Sequence, residues 1–430
     1  MIMHVDANSF YASCESIFRP DIQNKPVAVL SNNDGVTIAL NTECKKLGFK
    51  RGDLFFKMKN EYKAKGVFVF SSNYTLYADI SRRLNIIYNA FSIESEYYSI
   101  YESFLYVPDF IENKEYIELA KELKNFVWKS VHIPVSIGIA PTKTLAKMCN
   151  KLAKDNNGVF LWNSCDKENI LKNYAAKDIW GIGNSKAETL ARKGVFTAWN
   201  LLNFPLDKAK KELSINGFRT VQELKEIPAI DKNESTRRKN ITSSRSFGKG
   251  VTSILELETA LSEYTQIAVA KMRSEHSACK IISVYLMTAR AFSDNNKDKE
   301  YFNGASAQKL FSTSYLSDIT EIAIKLLKSI YRSGYSYRKI IINLQELEDD
   351  NDIQNDLFME NLPKIRERNN LIMDACDNVN NKYGKGTLHI GIRTQLNKPK
   401  NAYSSQSWFM TRNFLSPEYT TNIKELPIVI

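Results

Sequence analysis

The stretch VHIPVSIGIAPTKTLAKMCNKLAK, residues 131–154, passes from an alternating β-branched run into a helical repeat at Pro141. Residues 131–140 predict a strand, and Pro141 marks where a helix begins. In that helix Leu145, Met148, Cys149 and Leu152 fall at i, i+3, i+4 and i+7, an apolar stripe that faces a core. Lys143, Lys147, Lys151 and Lys154 form a separate stripe at helical spacing. Upstream, residues 2–5 predict a short buried strand that runs directly into Asp6. The run YSIYESFLYV, residues 98–107, predicts a strand with Tyr101 and Glu102 inside it. Alternation of this kind indicates a mixed α/β domain over roughly the first 165 residues.

Beyond that domain the pattern changes. Residues 166–230 read as helical, with a Gly-Ile-Gly turn at 181–183. The polar, basic stretch 232–250 reads as a linker or the entry to a strand. From 242 to 347 helical patterns such as IAVAKMRSEHSACK interleave with strand-like IISVYLM and KIIINL, a separate α+β domain. ELEDDNDIQNDLF, residues 346–358, is acidic and Asn-containing and reads as an exposed connector. The last seventy or so residues carry enough Leu, Ile, Trp and Phe for a small appended module, and no internal repeat is visible.

With 430 residues the chain calls for three or four domains. Its 43% hydrophobic and 25% charged content is that of a folded globular protein. A formal charge of +11, from 59 Lys and Arg against 48 Asp and Glu, favours an acidic partner such as nucleic acid. Cys14, Cys44, Cys149, Cys165, Cys279 and Cys376 are scattered without zinc-like spacing and read as small buried residues in a reducing compartment. MIMHVDANSF lacks a basic and then apolar leader pattern, and no apolar run is long enough to span a membrane. The expected setting is cytoplasmic.

Six stretches then fall in one familiar order: HVDANSFYASCE (4–15), YSIYESF (98–104), SIGIAPTKTLAKMCNKLAK (136–154), IWGIG (179–183), SRSFG (244–248) and FLSPEYTT (414–421). Together they resemble the Y-family translesion DNA polymerases, UmuC type, over nearly the whole chain. The resemblance implies an α+β multidomain fold on the right-hand polymerase plan. Palm would be 1–30 and 75–165, fingers 31–74, and a helix-hairpin-helix thumb 166–232. A linker at 233–241, little finger at 242–347, connector at 348–360 and C-terminal extension at 361–430 would follow.

Nucleotidyl transfer in that family uses two Mg²⁺ ions about 4 Å apart, hard ions that take oxygen ligands. The resemblance assigns Asp6, the backbone carbonyl of Ala7 and Glu102 to those ions. The family pattern Ser-Ile-Asp-Glu, however, reads Ser99-Ile100-Tyr101-Glu102 here. A phenol with a pKa of about 10 is neutral at pH 7 and offsets no cation charge. Glu94 and Glu96 lie five or more residues along the predicted strand, too far to substitute. By analogy with other preorganised electrostatic groups, losing the aspartate costs roughly 10²–10³ or more in rate. Tyr11 matches the steric gate under the nucleotide sugar, and Lys45 and Lys154 match triphosphate contacts.

The other implied contacts are with partners. Gly181, Gly183 and Lys186 would meet a DNA phosphate at a helix N-terminus. Arg237, Arg238, Lys239, Arg245 and Lys249 would lie along the duplex, giving strongly salt-dependent affinity. Gln354, Leu357 and Phe358 match a sliding-clamp-binding motif of the Q-x-x-L-F type, with the Leu-Phe pair as anchor. The resemblance also implies damaged primer–template DNA, dNTP, a UmuD′-like subunit and a RecA filament as partners. Two readings stand side by side: an error-prone translesion polymerase of the SOS response, and a catalytically inactive homologue that competes at stalled primer ends through DNA and clamp contacts. A DNA-binding protein without clamp contact is a third, which would leave QNDLF idle.

Overall fold

Every residue of the strand Ile2–Ala7 is buried, as expected for an apolar run covered on both faces. The computed structural model describes residues 1–232, 238–288, 300–350, 362–384, 386–388 and 412–426. These fall into two compact units, one drawn from 1–234 with 412–430 and the other from 235–411. In chain order the strands of the first unit are β1 (Ile2–Ala7), β2 (Val27–Leu30), β3 (Thr37–Leu40), β4 (Phe68–Ser71), β5 (Glu94–Tyr97), β6 (Glu102–Tyr106), β7 (Val135–Ala140) and β8 (Val159–Leu161). Those of the second are β9 (Asn240–Val251), β10 (Ser277–Thr288), β11 (Phe302–Thr313) and β12 (Tyr337–Asp349).

In the first unit β1 sits at the centre of a five-stranded sheet of order β5-β6-β1-β7-β8. It runs antiparallel to both β6 and β7, while β8 pairs parallel to β7. The helix Lys143–Ala153 lies against this sheet. Thr142 caps it by accepting from the Leu145 amide, and Leu145, Met148 and Cys149 are fully buried, as their spacing predicts. The fit is close at Gly138 of β7, where an added Cβ would lie 2.1 Å from the Asn150 amide nitrogen and 2.2 Å from the Ala146 carbonyl oxygen. Asn150 then joins two strands, its Nδ2 donating to the carbonyls of His4 (2.9 Å) and Ser136 (2.6 Å). A smaller sheet, β3-β2-β4, carries Tyr62, Phe49 and Phe55 in its own apolar cluster. Short helices between 167 and 224 pack around Trp162, Leu201 and Leu213.

The second unit is a four-stranded antiparallel sheet, β11-β10-β12-β9, backed by helices Ile254–Ser274 and Leu316–Ile330. The helix Leu362–Tyr383 docks on the same core through Met373, and Arg273, 9% exposed, pairs with both Asp374 and Asp377 of that helix.

Several expectations need correction. Tyr101 is not inside a strand: β5 and β6 form a hairpin, and Tyr98–Tyr101 make its turn, with the Tyr98 and Ser99 amides donating to the Glu102 carbonyl. An aromatic run cannot reveal that its middle turns. The strand expected over 131–140 begins only at Val135, because Val131 ends the helix Asn113–Val131. The basic stretch 232–250, read as linker or strand entry, becomes strand at Asn240, paired with β12. The acidic connector likewise begins inside β12, which continues to Asp349. All six cysteines are free, but Cys165 and Cys376 are only half-buried. Among the described residues no helix is long and apolar enough to cross a membrane.

The closeness at Gly138 sets a first test. Gly138→Ala must push the helix off the sheet, because backbone rather than a flexible side chain fills the space. Overpacking of this kind costs about 1–3 kcal/mol. A urea titration will show a lowered midpoint; an unchanged midpoint would mean that the helix is not seated as described.

Candidate functional site

The antiparallel register of β1 and β6 places Asp6 directly opposite Glu102. Two carboxylates facing one another across a sheet repel, and the lysine stripe offsets that repulsion. Lys154 Nζ lies 2.7 Å from Asp6 Oδ2, and Lys147 Nζ lies 3.1 Å from Glu102 Oε2. The same helix face carries Lys143, 2.6 Å from Glu96, and Lys151, 2.8 Å from Asp178. Glu96 also accepts from the Tyr106 hydroxyl, and Glu94 pairs with Lys232. Lys147 is further held over the rings of Tyr98 (4.1 Å) and Trp180 (5.0 Å).

His4, beside this pair, is buried with neither ring nitrogen hydrogen-bonded. Burial, and then the charges of Lys147 and Lys154, hold its pKa well below the usual histidine range. It is therefore neutral, and its 4.0 Å approach to Glu102 is not an ion pair.

Next to Asp6 opens a cleft of about 440 Å³. One wall is Phe10 and Tyr11, from the helix Phe10–Ile17; the facing wall is Ile38–Leu40 of β3. Tyr101 closes the end nearest Asp6. Its carbonyl accepts from the Ala7 amide at 2.9 Å, and its ring stands edge-on to Tyr11, centroids 6.4 Å apart. Tyr11 stacks on Tyr77 at 4.6 Å and 19°. Burial raises the pKa of both Tyr11 and Tyr101, so the two phenols are neutral near pH 7. Lys45 lines the cleft as the sequence suggests, and so do Lys50 and Arg51, which the sequence reading missed. Their signal was the Lys-Arg-Gly-Asp turn at 50–53, where Gly52 takes φ +101° and Lys50 N–H donates to the Asp53 carboxylate.

The proposed DNA contacts are placed less uniformly. Gly181 has φ +88° and Gly183 is the N-cap of Asn184–Ala191. Lys186 turns back to donate to the Gly181 carbonyl at 3.1 Å, so it braces the turn. In the second unit Lys239 and Lys249 are exposed on or beside β9. Arg245 lies over the Tyr264 ring (5.6 Å), and Arg238 pairs with Glu275 (2.9 Å). Arg237, Gln354, Leu357 and Phe358 lie outside the described residues.

Residues 5–151 match the impB/mucB/samB family, and residues 238–357 match the C-terminal domain of that family. Protein UmuC of Salmonella typhimurium is 36% identical over 427 residues, 98% of each chain. Protein MucB of Escherichia coli is 31% identical over 100% of this chain and 99% of its own. The chain belongs to the Y family of DNA polymerases, UmuC type. A Y-family polymerase chimera, Dbh-Dpo4(243-245)-Dbh, matches at TM-score 0.66 with 20% identity, covering 81% of this chain and 99% of the other, and shows the shared α+β multidomain fold. The first family match contains Asp6, Tyr11, Tyr101 and Glu102 and ends just before Lys154. A domain of unknown function matches 371–429, beyond the family's C-terminal domain.

The neutral His4 gives this Y-family site a pH signature. Below about pH 6.5 the unfolded chain takes up a proton that folded His4 refuses, so its contribution falls as pH drops. Between pH 7 and 5.5 this amounts to about 1 kcal/mol. In denaturant titrations the stability difference between the parent and His4→Leu should shift by that amount toward the variant as pH falls; a constant difference would show that folded His4 titrates as it does in the unfolded chain.

Proposed function

We propose that this chain acts in DNA damage tolerance, holding primer–template DNA and a nucleoside triphosphate in the Y-family manner, with nucleotidyl transfer crippled at Tyr101. In this reading the five-stranded sheet is the palm, the β3-β2-β4 region the fingers, residues 166–232 the thumb and β9–β12 the little finger. The cleft between Tyr11 and β3 takes the nucleotide, with Lys45, Lys50 and Arg51 disposed for its phosphates and Tyr11 under its sugar.

One observation carries the loss of chemistry. By family resemblance Tyr101 stands in for the third acidic ligand; it lines the cleft with Asp6, while Asp6 and Glu102 are paired with Lys154 and Lys147. Among the described residues no group of three His, Cys, Asp or Glu side chains is gathered to hold a metal ion. Y-family polymerases use Mg²⁺, but this donor set does not fit a pair of such ions. Each would need several hard oxygen ligands, whereas the site offers two lysine-paired carboxylates, the Ala7 carbonyl and a neutral phenol. What the residues can still do is bind: the cations attract phosphate, and the aromatic wall stacks a base or sugar.

Exposed Lys239 and Lys249 support backbone contacts with duplex DNA, and QNDLF supports a sliding-clamp contact. A UmuD′-like subunit and a RecA filament remain partners by family resemblance. The protein would thus occupy stalled primer ends without extending them efficiently.

Primer extension past a lesion, with Mg²⁺ or Mn²⁺, tests this on the parent and on Tyr101→Asp. The variant should extend roughly 10²-fold faster or more, with little change in DNA affinity. Equal and robust extension by both proteins would overturn the reading.

A further inference from the structure

The segment Asn413–Tyr419 returns from the far end of the chain to the back of the cleft, where it touches the elements behind both walls. On the β3 side, the Asn413 amide donates to Asp34 Oδ2 at 2.8 Å, and Ser71 Oγ donates to Asp34 Oδ1 at 2.6 Å. Phe414 and Ser71 exchange a second pair: Ser71 N–H donates to the Phe414 carbonyl at 2.9 Å, and the Phe414 amide donates to Ser71 Oγ at 3.0 Å. Asp34 and Asn33 have φ of +51° and +61°, conformations that non-glycine residues adopt only when held. This fixed loop leads within three residues into β3, whose Ile38–Leu40 form the cleft wall. The Phe414 ring packs edge-on to Phe55 at 5.5 Å.

On the other side, Asn73 Nδ2 donates to Ser416 Oγ at 3.0 Å, while Asn73 Oδ1 caps the helix Tyr74–Ala90. The helix that Asn73 caps carries Tyr77, whose hydroxyl meets Glu15, a fully buried carboxyl. Glu15 Oε1 accepts from the Tyr77 hydroxyl at 2.5 Å, and the Tyr77 ring stacks on Tyr11. Burial pushes the Glu15 carboxyl up to about 7, while the Tyr77 hydroxyl pulls it back. Tyr419 is 7% exposed and stacks on Phe18 at 4.7 Å, just past the end of the helix that carries Tyr11.

We propose that residues 413–419 form an intramolecular clip that sets the nucleotide cleft, with Asn413 and Phe414 holding the β3 wall, Ser416 positioning Tyr11 through Asn73 and Tyr77, and Tyr419 doing so through Phe18. Its use in nucleotide selection rests on the reading of the cleft given above. The clip gives the C-terminal segment a task in discriminating deoxynucleotides from ribonucleotides, because the width available under the sugar depends on where Tyr11 sits. These are positioning residues; none lines the cleft.

Amide hydrogen exchange on full-length Ser416→Ala and Tyr419→Ala decides the clip whether or not a nucleotide binds. Loss of one such contact should speed exchange roughly fivefold or more in residues 10–18 and 31–40 while β1 and β7 stay protected. Unchanged exchange at both walls would overturn the proposal. If Tyr419→Ala unprotects β1 and β7 as well, it has unfolded the unit, and Ser416→Ala decides. Calorimetric titration with dATP and with ATP is the second readout. The parent should prefer dATP and the variants should lose most of that preference. Equal preference in parent and variants would contradict the sugar-selection role. A parent that binds neither nucleotide would contradict the reading of the cleft, while the exchange result would still judge the clip.

Discussion

Four lysines on one helix face, each set against a carboxylate from a different element, hold the centre of the first unit together. Lys143, Lys147, Lys151 and Lys154 meet Glu96 of β5, Glu102 of β6, Asp178 and Asp6 of β1. The innermost pair, Lys143 with Glu96, is nearly water-free, with side chains 3% and 9% exposed. Deleting one member of such a pair strands the other and costs about 3–5 kcal/mol. The outer pairs are wetter and contribute less. The helix can deliver these charges because Gly138 and Asn150 let it lie directly on β1 and β7.

The same arrangement bears on the proposed effect of Tyr101. A cluster of carboxylates on adjacent strands is unfavourable unless cations satisfy it. With Tyr101 in the hairpin turn, Asp6 is, among the described residues, the one carboxylate lining the cleft and Glu102 faces it across the sheet, and Lys154 and Lys147 balance the two. A metal pair would then have to displace Lys154 and Lys147 without the third anionic ligand to compensate. The cleft keeps its aromatic and basic lining nonetheless, so in the proposed reading a weakened metal site leaves room for a nucleotide.

Much of this was legible in the sequence where local periodicity carried it. The strand Val135–Ala140, the helix that follows Pro141 and the buried β1 follow from patterns of two and 3.6. Tyr101 stood out in the sequence as a departure from the family pattern, but its place in a turn was hidden because Tyr, Ile and Phe favour strands on either side of the bend. The lysine stripe was visible and its partners were not, since Asp6 lies 148 residues from Lys154 along the chain. Lys50 and Arg51 were missed for the same reason: nothing local says that their turn faces Tyr11. FLSPEYTT was noticed only as a matching motif. Its seat behind the cleft depends on Asp34, Ser71 and Asn73, contacts that no periodicity encodes.

The claim on which the functional account turns is that Asp6, Glu102 and Tyr101 cannot seat two divalent ions. Electron paramagnetic resonance of Mn²⁺ titrated into the full chain, in the presence of a saturating non-hydrolysable deoxynucleotide, measures this directly. The account predicts no manganese beyond the ion that the nucleotide carries by itself, and no coupled spectrum. Two ions per chain with the spin coupling of a pair about 4 Å apart would contradict it.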